Sequence, residues 1–224
     1  MIILLRGHIR NVFKNKNLYN VIKNIYTGNN DVEIYIHTWN IIQNNISWRQ
    51  VKMDATKVTE EMIKNYFDDL SFLIKHIIID DDKKSKLHGT RNGRVSRSMM
   101  PMIGWKYYWF GQYQIINYIN EKIQDKNTCV VNFRFDVLDN SFHLNEEEII
   151  QFIEKNKGNK FNKNVFAYDI EKLGIDNIFI GNIKTQFNLI NNFYFNLDQI
   201  VINNKITYNQ EFLAFWENNK LNCE

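Results

Sequence analysis

CVVNFRFDVLDN, residues 129–140, is an apolar, β-branched run that stops abruptly at Arg134, Asp136 and Asp139. Valine and phenylalanine fit a pleated, buried surface, and charged side chains are not normally left bare at the edge of a core. A buried strand that delivers a guanidinium and a carboxylate at its C-terminal end is therefore building a site. Outward from it, residues 1–5, 32–37 and 73–79 read as three earlier strands, and residues 165–168 and 178–180 as two later ones.

Helical spacing fills the gaps between these strands. Leu18, Val21, Ile22 and Ile25 recur on one face, and Gly28 is placed to end that helix. Thr59 serves as an N-cap, with Glu60 and Glu61 in the first turn and Ile63, Tyr66, Phe67 and Leu70 as the apolar stripe. Residues 105–124 form a long aromatic helix with Tyr108, Trp109, Gln112, Ile116, Ile119 and Ile123 on one side. Asn145 with Glu148 makes a capping box ahead of Ile149, Phe152 and Ile153, and Thr207 with Gln210 repeats the pattern ahead of Phe212, Phe215 and Trp216.

Strands separated by helices imply an α/β chain, one domain over residues 1–224, with a mainly parallel central sheet flanked by helices. In such sheets ligands bind outside the carboxyl ends of the strands. The first strand empties into Arg6, Gly7, His8 and Arg10, and the second into His37, Thr38, Trp39 and Asn40. The third ends in Asp80, Asp81 and Asp82, the fourth in Arg134 and Asp136. Cations at one tip and carboxylates at others suit a diphosphate together with a divalent metal. Gly7 allows close backbone approach, Arg6 or Arg10 would bind phosphate oxygens through paired donors, and a carboxylate would hold Mg or Mn. The bland alternative for each arginine is solvation or pairing with a surface acid.

Composition narrows the classes. The 224 residues are 44% hydrophobic and 14% aromatic, enough to bury a sizeable core. A net charge of +3, spread through Asn- and Ile-rich sequence, does not call for nucleic acid but leaves small anions welcome. Cys129 lies within a strand and Cys223 near the C-terminus, so neither a disulfide framework nor a structural zinc site is expected, and a cytoplasmic setting fits. No segment reaches the roughly 20 apolar residues of a membrane span, and the opening MIILL is broken at Arg6, too early for a secretory signal. His8, His37, His76, His88 and His143 have no metal-like spacing, and no phosphate-binding P-loop, zinc helix or nucleophile elbow occurs.

Five segments together, ILLRGHIRNVF, EIYIHTWN, GWKYYWFGQYQIINYI, NFRFDVL and GIDNIFIGN, resemble a family of short glycosyltransferase-like proteins of large DNA viruses and bacteria. The Asn-, Ile- and Lys-rich composition fits an A/T-rich genome of that kind. The resemblance spans most of the chain and implies a GT-A-like, Rossmannoid fold. It also implies a nucleoside-diphosphate sugar as donor and a glycan or other hydroxyl acceptor. In that family an Asp-x-Asp element after the donor-site strand holds the metal. Arg134, Phe135 and Asp136 stand at that place, so Asp136 is the expected ligand for Mn or Mg, its alternative role being to cap the following turn or neutralise Arg134. Arg134 replaces the first carboxylate, and its guanidinium would instead neutralise phosphate charge.

Other roles follow from position. Asp80 to Asp82 offer a competing acidic site, but Lys83, Lys84 and Lys86 follow at once and favour an exposed, self-neutralised run. Residues 87–101, with Arg91, Arg94 and Arg97, form either a lid over the donor or a solvated connection. Trp105 and Trp39 would stack on a base or sugar, Gln112 would reach a sugar hydroxyl, and Thr38 and Asn40 would line the donor pocket, with core packing the commoner fate of such aromatics. The resemblance places the acceptor side near Asp176, the candidate catalytic base, with Glu211 and Asp198 behind it. A non-catalytic carbohydrate- or nucleotide-binding module is the competing expectation.

Overall fold

Successive side chains of a strand point to opposite faces, and the first strand uses both. In β1 (Ile2–Arg6), Ile3 and Leu5 enter one hydrophobic core while Ile2 and Leu4 enter another. A computed structural model describes residues 1–46, 51–95, 97–139, 144–167, 177–204 and 210–221. After β1 come α1 (Asn17–Gly28), β2 (Glu33–Trp39), the strands β3 (Ile41–Gln43) and β4 (Asp54–Lys57), α2 (Glu60–Phe67) and β5 (Ile74–Asp80). The second half holds α3 (Met102–Lys122), β6 (Cys129–Arg134), α4 (Glu146–Asn156), β7 (Val165–Phe166), β8 (Ile178–Asn182), α5 (Ile183–Asn203) and α6 (Gln210–Lys220).

The six-stranded sheet runs β5-β2-β1-β6-β8-β7. β5, β2, β1 and β6 are parallel; β8 is antiparallel to both β6 and β7. The chain is thus α/β with a mainly parallel sheet flanked by helices. One core joins α1, α2 and α4 to the sheet through Leu18, Ile22, Phe67 and Ile149. The opposite core joins α3, α5 and α6 through Trp109, Ile116, Phe193 and Leu213. From β1 the chain builds outward through β2 to β5, then returns to lay β6 on the other side of β1. The topological switch point, where open α/β sheets bind ligands, therefore lies at the carboxyl ends of β1 and β6.

Several boundaries move for local reasons. The third strand starts at Ile74 because Leu73 closes a 3-10 turn, Asp68–Leu73, in which Asp68 adopts a left-handed φ of 51°. The aromatic helix begins earlier, at Met102, directly after Pro101, which has no backbone donor to lose at a helix start. The expected capping box of Asn145 and Glu148 forms in both directions. Thr207, expected to cap the last helix, lies outside the described residues. Two features were not expected from the sequence: the β3–β4 pair and the 21-residue helix α5. Among the described residues no helix is long and apolar enough to cross a membrane.

Candidate functional site

Parallel, in-register pairing sets Arg6 beside Arg134 on one side and beside His37 on the other. Alternation turns Arg6 and Arg134 to the same face of the sheet, the one covered by α3 and α5. Arg6 is almost fully buried, with 2% of its surface exposed, so its charge must be compensated locally. Its Nε donates to Asn132 Oδ1 at 2.5 Å, and its guanidinium carbon sits 4.4 Å from the centre of the Tyr108 ring and 5.9 Å from that of Phe179. Asn132 in turn donates to Gln112 Oε1 and Gln186 Oε1, each at 3.2 Å. A chain of buried amides thus runs from α3 and α5 to the first arginine.

Past β6 the backbone enters a 3-10 turn, Phe135–Val137, that folds Asp136 back over the strand tip. Arg134 grips the carboxylate with two donors, Nε to Oδ1 at 2.9 Å and an Nη to Oδ2 at 2.8 Å, and gives another Nη to Asn177 Oδ1 at 2.7 Å. Arg10 donates to the same Oδ2 at 2.5 Å. Arg10 itself holds a left-handed φ of 55°, sparsely used by residues with a side chain, and its amide donates to the Ile42 carbonyl at 3.0 Å. Burial alone would raise the Asp136 carboxyl, but the charges of Arg134 and Arg10, with Arg6 further off, bring it down to about 2.

Gly7 joins the first two strand tips. Its amide donates to the His37 carbonyl at 3.2 Å, and its own carbonyl accepts from the Thr38 hydroxyl at 2.9 Å. Its φ is +94°, and no heavy atom lies within 4 Å of where a Cβ would stand, so the backbone here borders open space. His8 follows, pushed down to about 4 chiefly by burial, with the charge of Arg10 acting in the same sense. Because a carbonyl only accepts, the 3.2 Å contact to the Ile41 oxygen assigns the His8 proton to Nδ1. Arg6, Gly7, Arg10, Thr38, Arg134 and Asp136, expected as a group from strand ends alone, are brought together.

The other expected residues are placed differently. Trp39 is buried, stacked on Phe110 at 5.9 Å and edge-on to Tyr107 at 5.3 Å, and shapes the floor beneath the second strand tip. Asn40 lies where β2 leads into β3, its amide on the Asp80 carbonyl and its carbonyl on the Val58 amide. Trp105 is fully buried against Trp109 and Phe193 in the α3–α5 core, and Gln112 is fully buried and bound to Asn132; neither side chain meets solvent. Glu211 stands in the first turn of α6, which packs on α5. Asp176 lies outside the described residues.

The three aspartates after β5 diverge. Asp80 bonds the ring of buried His37 at 3.1 Å, Asp81 accepts from the Lys83 amide, and Asp82 accepts from Asn44. The 87–101 segment is tethered to the helices beside it. Lys106 donates to the His88 carbonyl and pairs with Asp198, both at 2.5 Å, and Asp198 accepts from the Thr90 amide. Arg91, Arg94 and Arg97 are exposed on this segment.

The arrangement is chemically a guanidinium cluster that would receive an oxyanion at the switch point. It does not fit a divalent metal: both oxygens of Asp136 already accept from arginines. Nor does any group of three His, Cys, Asp or Glu gather elsewhere among the described residues. Sequence reasoning passed over Asn132, though a lone amide on an apolar strand is a signal of a buried polar partner. It also passed over the Lys106–Asp198 pair, whose members are far apart in the chain. In comparison with protein families and curated proteins, the chain matches no family model and no curated sequence.

Proposed function

We propose that the chain binds a nucleoside-diphosphate sugar at the carboxyl ends of β1 and β6 and transfers the sugar to a glycan or other hydroxyl acceptor. The observation that carries this reading is the convergence of Arg6, Arg10 and Arg134 at the switch point of a mainly parallel sheet, beside the open backbone of Gly7. The resemblance to GT-A-like glycosyltransferases points the same way. In this reading the guanidiniums bind the diphosphate and stabilise the negative charge that builds on it as the sugar leaves. Asp176, at the place where the resemblance puts the acceptor side, is the candidate base for the acceptor hydroxyl. Glu211 is the second candidate.

The test is release of nucleoside diphosphate when the full chain is incubated with UDP- and GDP-hexoses. Release by the native protein and its loss in Arg134→Ala are the expected results. Donor binding without release, with or without acceptor, would move the assignment to a non-catalytic binding module, and neither binding nor release would end the donor reading.

A further inference from the structure

We propose that the cluster of Arg6, Arg10 and Arg134 takes the place of a divalent metal, so that the donor diphosphate is bound without Mg or Mn. The inference rests on the donor reading above and deepens it. A metal bridging a carboxylate and a diphosphate needs carboxylate oxygens turned toward it, since Mg and Mn prefer several oxygen ligands in near-octahedral array. Asp136 spends both oxygens on guanidiniums, accepting from Arg134 at 2.9 and 2.8 Å and from Arg10 at 2.5 Å. The position two residues earlier in the chain, where a second carboxylate would assist, carries the positive charge of Arg134. A dication here would face guanidiniums on each side; a diphosphate would meet charges of opposite sign.

The arginines are also held in place by groups of the protein itself. Arg6 is anchored through Asn132 and lies over Tyr108, Arg134 is divided between Asp136 and Asn177, and Arg10 is fixed by an unusual backbone conformation against Ile42. Planar guanidiniums held this way present fixed positive charge to a diphosphate and lose little side-chain freedom on binding. The acids after β5 supply no alternative ligand set, because Asp80 and Asp82 bond His37 and Asn44.

The experiment is a thermal-shift titration of the full chain with UDP- and GDP-hexoses, once in EDTA and once in excess Mn. A donor that raises the melting temperature equally in both buffers supports the inference. A donor that acts only with Mn overturns it while leaving the donor reading intact. A chain that no donor stabilises in either buffer overturns both. Arg10→Ala and Arg134→Ala should each weaken the metal-free binding by about tenfold or more, as expected for a lost charge-assisted contact, with no rescue by Mn. Rescue by Mn would count against the inference; should either variant fail to fold, the native protein in the two buffers decides alone.

Discussion

Gly111 shows how closely single residues govern the region under the second strand tip. A Cβ at this position of α3 would stand 2.5 Å from two atoms of the His37 ring, which is fully buried and bonded to Asp80. Gly111→Ala should therefore cost about 1–3 kcal/mol, the usual range for overpacking, read as a lower urea midpoint at unchanged slope. An unaltered midpoint would mean that α3 is free to move away from the sheet. Asn132 is the opposite case, a residue whose hydrogen bonds matter more than its bulk. Asn132→Leu strips a partner from Arg6, Gln112 and Gln186 at once, and each buried group left unsatisfied costs about 1–3 kcal/mol. Unfolding in urea checks the loss; a stability equal to that of the native protein would show the amide chain to be dispensable. The reactive ends of Arg6, Arg134 and Asp136 were legible because each stands where an apolar run stops. Trp105 and Gln112 were not, because helical spacing tells which residues share a face and not whether that face meets a cleft or a core.

Among the elements, α5 is the one that sequence patterning passed over. Its interior contains many asparagines, poor helix formers, yet Ile183, Gln186, Leu189, Ile190, Phe193, Leu197 and Ile200 are buried along one side. Its start is fastened by Asn182 and Thr185, whose side chains bond each other's backbone amides. That pair lacks the glutamate or glutamine of the usual capping pattern and so went unread. Asn182→Ala should lower stability by about 1 kcal/mol, measurable as a shift in melting temperature, because it leaves the Thr185 amide and the Phe161 carbonyl without the Asn182 side chain at a buried helix start. No shift would mean that packing against α3 alone holds the helix. β1, β2, β5 and β6 were recognisable within one or two residues, since their apolar runs and polar tips are properties of short segments. The β3–β4 pair was not recognisable, because β4 is fully exposed and has no apolar face to announce it.

At the scale of the whole molecule, two groups at the site link stability to acid. His8 has a folded-state value near 4, below the ordinary histidine value, so the unfolded chain takes up its proton first and stability should decline as pH falls from about 6.5 toward 4. Asp136, near 2 when folded, contributes stability that is complete above the ordinary aspartate range and is lost as pH falls from about 4 toward 2. Urea unfolding across this range should show both declines; His8→Asn should flatten the upper one and Asp136→Asn the lower. A profile identical in all three proteins would separate these residues from the acid response. Sequence alone determined the alternation of strands and helices, the mainly parallel sheet and the identity of the residues at the strand tips, because periodicity, caps and breaks in apolar runs are written within a few neighbouring residues. Tertiary structure decided which guanidinium meets which carboxylate and which aromatics are sealed inside. Arg10 and Asp136 are 126 residues apart in the chain, and only the pairing of β1 with β6 makes them neighbours.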